Sequence, residues 1–318
     1  TQVPSESDPD GKNESPLAQP FVSSSDPPLA VPPQRRWGRP ERNRLLLWVG
    51  ISFIAPLPVL LLLRVPLKPV GDVFTVRNML PAKAVVAILV VLATWIVARM
   101  ERRPLADYGA PARQAFGLRF WEGFLWGFAL LSAILFFLRA TGHLKIDSVA
   151  FADSAMFRYA LGWGLVFLAV GINEEFAFRG YLLFVFSRRL RFWPAAILLS
   201  LMFGVAHLFN PGETAFGILH VFLIGIILCF TIRRTGTLWF AVGFHTAWDW
   251  AESFFYGTPD SGFVSVGHYL NTSVQGPSWL TGGSDGPEGS IVAVFAVLLF
   301  ALLIHLRFPK AIYPDRLI

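Results

Sequence analysis

Residues 161–186 read LGWGLVFLAVGINEEFAFRGYLLFVF, an apolar stretch with Glu174, Glu175 and Arg179 set inside it. An ionised side chain held at mid-bilayer costs ~2.5–3.5 kcal/mol on insertion scales, so three within six positions must be paired, hydrated or used. One account ends a helix near Gly171 and puts the charges among lipid headgroups. Against it, YLLFVF follows at 181–186, and the basic cluster SRRLR that marks a membrane surface begins only at Ser187. The acids are therefore expected well inside the bilayer.

Outward from this stretch the whole chain has the same character. Of 318 residues, 54% are apolar and 15% charged, and the mean hydropathy is +0.54, the composition of a membrane protein. A helix crosses the hydrocarbon with ~20 mostly apolar residues, and windows 45–63, 82–99, 120–138, 156–173, 193–209, 215–232, 237–255 and 290–306 qualify. The runs are continuous and too long for the alternating strands of a membrane barrel. The expected fold is all-α, a polytopic transmembrane bundle of about eight helices spanning 45–310.

The polar sequence sorts around these windows. Residues 1–44 read as a disordered tail with a basic end: 1–34 are rich in Pro, Ser and Asp and poor in large apolar groups, too little to offset the entropy of ordering. The tail has no signal-peptide pattern, which predicts that the first helix stays as an anchor. The segments 35–44, 99–119, 187–191, 233–234 and 307–316 carry 18 Lys and Arg, and 64–83 with 139–158 carry 7. This asymmetry predicts both termini, including a short C-terminal tail at 311–318, on the cytoplasmic side. The net charge of +6 and pI near 9.8 fit anchoring to anionic lipid of the bilayer, not nucleic-acid binding, and no nucleic-acid module is present. The single Cys229 excludes an internal disulfide and a cysteine metal cluster. No internal repeat stands out, which weakens a repeat-built transporter. The extramembrane loop 256–290 is long for an unstructured connection, the kind of segment that serves as a lid or as a plain tether.

Two further apolar windows carry polar groups at helical spacing. Phe203 and His207 in LMFGVAHLFNP are four apart, as are His245 and Asp249 in GFHTAWDWAE, so each pair shares a helix face. His220 reads as a membrane histidine bonded to a neighbouring carbonyl. His143 and His268 read as loop residues and His305 as interfacial. By window boundaries His207 falls near the non-cytoplasmic end of the fifth helix and His245 near the middle of the seventh. Two imidazoles, three carboxylates and a guanidinium on three helices are the parts of a hydrolytic centre.

These residues carry a resemblance. EEFAFR reads as EExxxR, FGVAH as FxxxH and HTAWD as HxxxD, in that order and in separate helices. The set resembles the CPBP family of intramembrane endopeptidases, related to CAAX prenyl proteases and bacterial Abi proteins. It covers a motif core of 156–255, where RRTGTLW before the seventh helix is also similar to the family. Position 249 varies between Asn and Asp in such proteins, and this chain has the acid. The resemblance implies hydrolysis of a peptide bond in a membrane-associated peptide or protein, with Glu174 activating water and His207 and His245 holding that water or a metal. It also implies a multi-pass protein of the bacterial inner membrane.

Helical geometry divides the acids in the same way. Glu175 and Arg179, four apart, can pair, while Glu174 points ~100° away and is left free. The expected roles are Glu174 as general base and then acid, Glu175 with Arg179 as an orienting pair, and His207, His245 and Asp249 as the water or metal cage. The four charged groups sum to −2, which a divalent cation neutralises. Two His and a carboxylate with an open position suit zinc, so zinc is favoured over water alone, with His207, His245, Asp249 and Glu174 as its candidate ligands. Two other classes stay open: a noncatalytic membrane regulator or immunity factor that binds a partner, and a proton-coupled transporter whose buried acids relay protons.

Overall fold

A computed structural model describes residues 38–65, 73–150, 154–210 and 212–315. Within them lie eight long helical segments: α1 (Arg39–Leu62), α2 (Val76–Glu101), α3 (Leu118–Ala140), α4 (Ala155–Leu190), α5 (Phe192–His207), α6 (Ala215–Thr235), α7 (239–256) and α8 (Ile291–Arg307). Five of them, α1 to α4 and α6, are long and apolar enough to cross a membrane, while α5 and α8 are shorter apolar helices. Large apolar side chains face outward along them, such as Leu62 (83% exposed), Phe136 (72%) and Leu125 (68%). An apolar outer surface of that extent needs a lipid solvent, and the protein is an integral multi-pass membrane protein.

Several boundaries differ from the sequence windows for local reasons. The helix at the N-terminal side begins at Arg39, inside the segment read as tail; Pro40 sits in its first turn and Glu41 pairs with Arg188 and Arg189 of α4. Residues 1–37 of that tail and 316–318 at the other end lie outside the described residues. The rest of the C-terminal segment is tied down: the Ile312 and Tyr313 amides donate to the Arg233 carbonyl, and Tyr313 is buried. Side-chain caps fix three starts, with Thr75, Thr214 and Ser290 accepting from the amides of Asn78, Gly217 and Ala293.

The helices alternate in direction, and their connections gather at two opposite ends. At one end Arg44 meets Glu101 and the Leu238 amide donates to the Gly109 carbonyl. At the other end four connections are joined by backbone and side-chain bonds. The loop 257–290 is not an unstructured tether: it carries β3 (Val264–Ser265), parallel to β1 (Val73–Phe74), and β4 (Leu270–Val274), antiparallel to β2 (Leu144–Val149). It also reaches the α5–α6 connection, where the Thr214 hydroxyl and amide donate to Asp285.

Two close helix crossings position the chemistry. A Cβ built on Gly123 or Gly127 of α3 would strike the carbonyl oxygens of Phe240 or Phe244 of α7, and one on Gly243 would strike that of Phe120. Glycine four residues apart thus lets α3 and α7 touch backbone to backbone, as small residues do in membrane bundles. Gly171 of α4 does the same toward α7, where an added Cβ would lie 2.9 Å from Thr246 Oγ1. Gly127→Leu is expected to lower the detergent melting temperature by more than a core overpacking worth ~1–3 kcal/mol, because the obstacle is backbone. A melting curve equal to wild type would show the crossing to be loose.

Candidate active site

Glu174 and Glu175 close the α-helical part of α4, and the chain continues through a π-helical segment, Phe176–Tyr181, before returning to α-helix. α7 has the same construction: His245 and Asp249 end its α-helical part, and Trp250–Tyr256 is π-helical. Single π turns within α-helices occur often at functional sites. Here they follow both charged motifs, and α4, 36 residues long, kinks at Gly180, whose φ/ψ of −87° and −109° are non-helical. The acids thus lie within a long apolar helix, ahead of its kink, and not at its end.

Glu175 is fully buried and holds two partners through one oxygen. Arg179 Nη1 donates to Glu175 Oε1 at 3.1 Å, and His245 Nδ1 lies 2.8 Å from the same atom. Since a carboxylate facing a guanidinium only accepts, His245 donates from Nδ1 and turns Nε2 the other way. That nitrogen lies 3.6 Å from Glu174 Oε2 and 3.6 Å from Asp249 Oδ2. His207 is anchored alike: its Nδ1 donates to the Phe203 carbonyl at 2.8 Å, again leaving Nε2 free. A ring nitrogen fixed by an outer acceptor is how proteins set the tautomer and aim of a working imidazole. Phe203 packs on His207, ring centroids 4.5 Å apart, and the Arg179 guanidinium sits 4.2 Å over the Phe203 ring.

Glu174, His207, His245 and Asp249 all line one cavity of about 440 Å³, while Glu175 and Arg179 stand behind its wall. The six residues singled out in the sequence are therefore brought to one place, although His207 and His245 differ in depth by window boundaries. Sequence reading missed three features of the cavity. Lys83 reaches it from α2, and Asp260 and Glu288 reach it from the two ends of the 257–290 loop. His220 also lines it, and the expectation of a carbonyl partner fails: neither ring nitrogen has a hydrogen-bond partner, and the ring stacks on Trp248 at 5.3 Å. In the extramembrane loop, burial raises the Asp260 carboxyl to about 6 and pushes Glu288 well above the usual range, with the Asp260 charge adding to the effect on Glu288. Among the described residues, the set of three or more acidic, imidazole or thiol groups with one ligand atom each all within 4.8 Å of one another is Glu252, Asp260 and Glu288, a trio that excludes the two histidines.

Residues 156–251 match a family described as Rce1-like, type II CAAX prenyl endopeptidase Rce1-like. The match spans the segment that carries the three motifs, and its description agrees with the CPBP and CAAX protease family they resemble. No curated protein matches the chain.

Proposed function

We propose that the protein is an intramembrane endopeptidase in which Glu174 activates water for attack on a peptide bond of a membrane-associated peptide or protein. The observation that carries this reading is His245: its Nδ1 is committed to Glu175, and its Nε2 stands between Glu174 and Asp249 on the cavity wall. Water lodged against Nε2 lies within reach of a carboxylate that can take its proton. Glu174 then carries that proton toward the leaving amine as the carbon–nitrogen bond breaks, so one residue serves as base and then acid. His207 and Asp249 complete the polar wall that orients the water, and Glu175 with Arg179 keeps His245 in place.

The donor types also suit zinc, since both imidazoles present Nε2 with Nδ1 held by an acceptor and carboxylates adjoin them, although the structure does not draw the two histidines and a carboxylate within 4.8 Å of one another. In this reading His207, His245 and Asp249 would hold the ion, which would supply Lewis-acid polarisation of the scissile carbonyl and a more acidic water. The test is cleavage of quenched membrane peptides by the purified protein together with elemental analysis. Asp249→Asn is expected to lose zinc and most activity, with chelation mimicking it, because an amide oxygen replaces an anionic donor. Full activity in a metal-free Asp249→Asn variant would leave Glu174 and histidine-held water as the catalytic unit. No cleavage of any peptide by the zinc-loaded parent would favour the partner-binding reading.

The orientation with both termini cytoplasmic, in the bacterial inner membrane, belongs to the same proposal and rests on the Lys and Arg asymmetry. Arg42, near the start of α1, and Ser284, on the α7–α8 loop, are exposed at opposite ends of the bundle. Single cysteines there, in a Cys229→Ala background, are expected to label from opposite sides, Arg42→Cys only after the membrane is permeabilised. Labelling of both from outside would reverse the proposal.

A further inference from the structure

Beyond the histidine site, the cavity wall continues into a second group of acids. Glu252 lies one turn past Asp249 in the π-helical part of α7, and Asp260 and Glu288 come from near the two ends of the loop that follows. One carboxylate oxygen from each of the three lies within 4.8 Å of the other two. Hydrogen bonds account for only part of this cluster. Asp260 Oδ2 accepts from the Ser253 hydroxyl at 2.9 Å, and Glu288 Oε1 accepts from the Ser261 amide and hydroxyl, each at 2.7 Å. Glu252 is 0% exposed, and neither of its oxygens has a hydrogen-bond partner.

A buried carboxylate without a partner is costly, and two more beside it raise the cost, unless a positive charge lies among them. Among the described residues none of the three forms an ion pair with Lys or Arg. The backbone makes room at this point: a Cβ at Gly286, whose φ is +111°, would strike the Pro259 carbonyl and come within 3.0 Å of Glu252 Oε1. All donors are oxygens, with no nitrogen or sulfur, which is the preference of hard cations and not of zinc.

We propose that Glu252, Asp260 and Glu288 form a binding site for a hard divalent cation, calcium, which fastens both ends of the α7–α8 loop to α7 beside the active-site cavity. Calcium accepts carboxylates in one- or two-oxygen modes and tolerates irregular shells, so the free oxygens of Glu252 and the second oxygens of Asp260 and Glu288 are suitable ligands. The site is separate in chemistry from any zinc on the histidines, and it does not depend on the protein being a protease.

The test uses the full chain in detergent, stripped with chelator and titrated with Ca²⁺, with thermal unfolding and elemental analysis after desalting as readouts. One Ca²⁺ per chain and a rise in melting temperature are expected. Glu252→Gln, which keeps the shape, is expected to weaken Ca²⁺ by at least about tenfold through loss of an anionic ligand, and His207→Ala is expected to leave it unchanged. Manganese paramagnetic resonance on the unsubstituted protein reads the same oxygen site and needs no variant to fold. The proposal is overturned if millimolar Ca²⁺ neither binds nor raises the melting temperature of the parent, if Glu252→Gln binds as well as the parent, or if binding follows His207 instead. Equal stabilisation of Glu252→Gln with and without Ca²⁺ would identify the trio as carboxyls sharing protons.

Discussion

Glu174→Gln is expected to reduce peptide hydrolysis by ~10²- to 10⁴-fold, the contribution of a positioned general acid–base group. Melting temperature and substrate binding should stay at wild-type values. The amide fills the same space but takes no proton, and Glu174 is not one of the partners that hold Arg179 or the Nδ1 of His245. The check pairs a cleavage assay with a melting curve and a binding measurement on one preparation. Loss of fold along with activity would return Glu174 to a structural role.

Glu175→Gln is expected to fail differently, with stability lost as well as activity. It strips the charge facing Arg179, whose side chain is 1% exposed against a fully buried Glu175. Breaking a buried pair at one end costs ~3–5 kcal/mol because the other charge stays behind. The same substitution replaces the carboxylate that accepts from the Nδ1 of His245 with a weaker neutral amide oxygen, so activity should fall further than stability alone explains. Arg179→Met separates the two effects: it removes the guanidinium but keeps the bond from His245 to Glu175, and should retain the orientation of His245 better than Glu175→Gln does. Equal melting temperatures for Glu174→Gln and Glu175→Gln would refute the division of labour between the acids.

Much of this arrangement is legible in the sequence because membrane helices announce themselves by length and because a charge within one has few ordinary explanations. The pairing of Glu175 with Arg179 follows from i,i+4 spacing alone. The second bond of Glu175, to His245, does not, since it depends on α4 and α7 meeting at Gly171, and nothing local to either helix states which helices touch. The same applies to Lys83 and His220, whose relevance is only their arrival at one cavity. Asp260 and Glu288 are harder still: in GTPDSGF and DGPEGS they look like ordinary loop acids, and only the β1–β3 and β2–β4 pairings bring that loop back over α7. Helix starts were misplaced where pattern and cap disagree, as at Arg39, where a charged first turn resembles tail until Glu41 finds Arg188 and Arg189.

The widened turns after Glu175 and Asp249 make this active site a matter of counting as well as of chemistry. A π turn holds one residue more than the α turn it replaces, and in α4 it includes the kink at Gly180, so removing one residue between 176 and 181 is expected to tighten this turn and change the kink. Everything downstream would then swing by ~100° about the axis, carrying the YLLFVF face and the SRRLR anchors away from their neighbours. Substitutions in these segments would be forgiven far more readily than single-residue deletions. A deletion scan across 176–181 and 250–256, set beside a substitution scan of the same positions, would thus outline the two places where the length of the chain has itself become a functional residue.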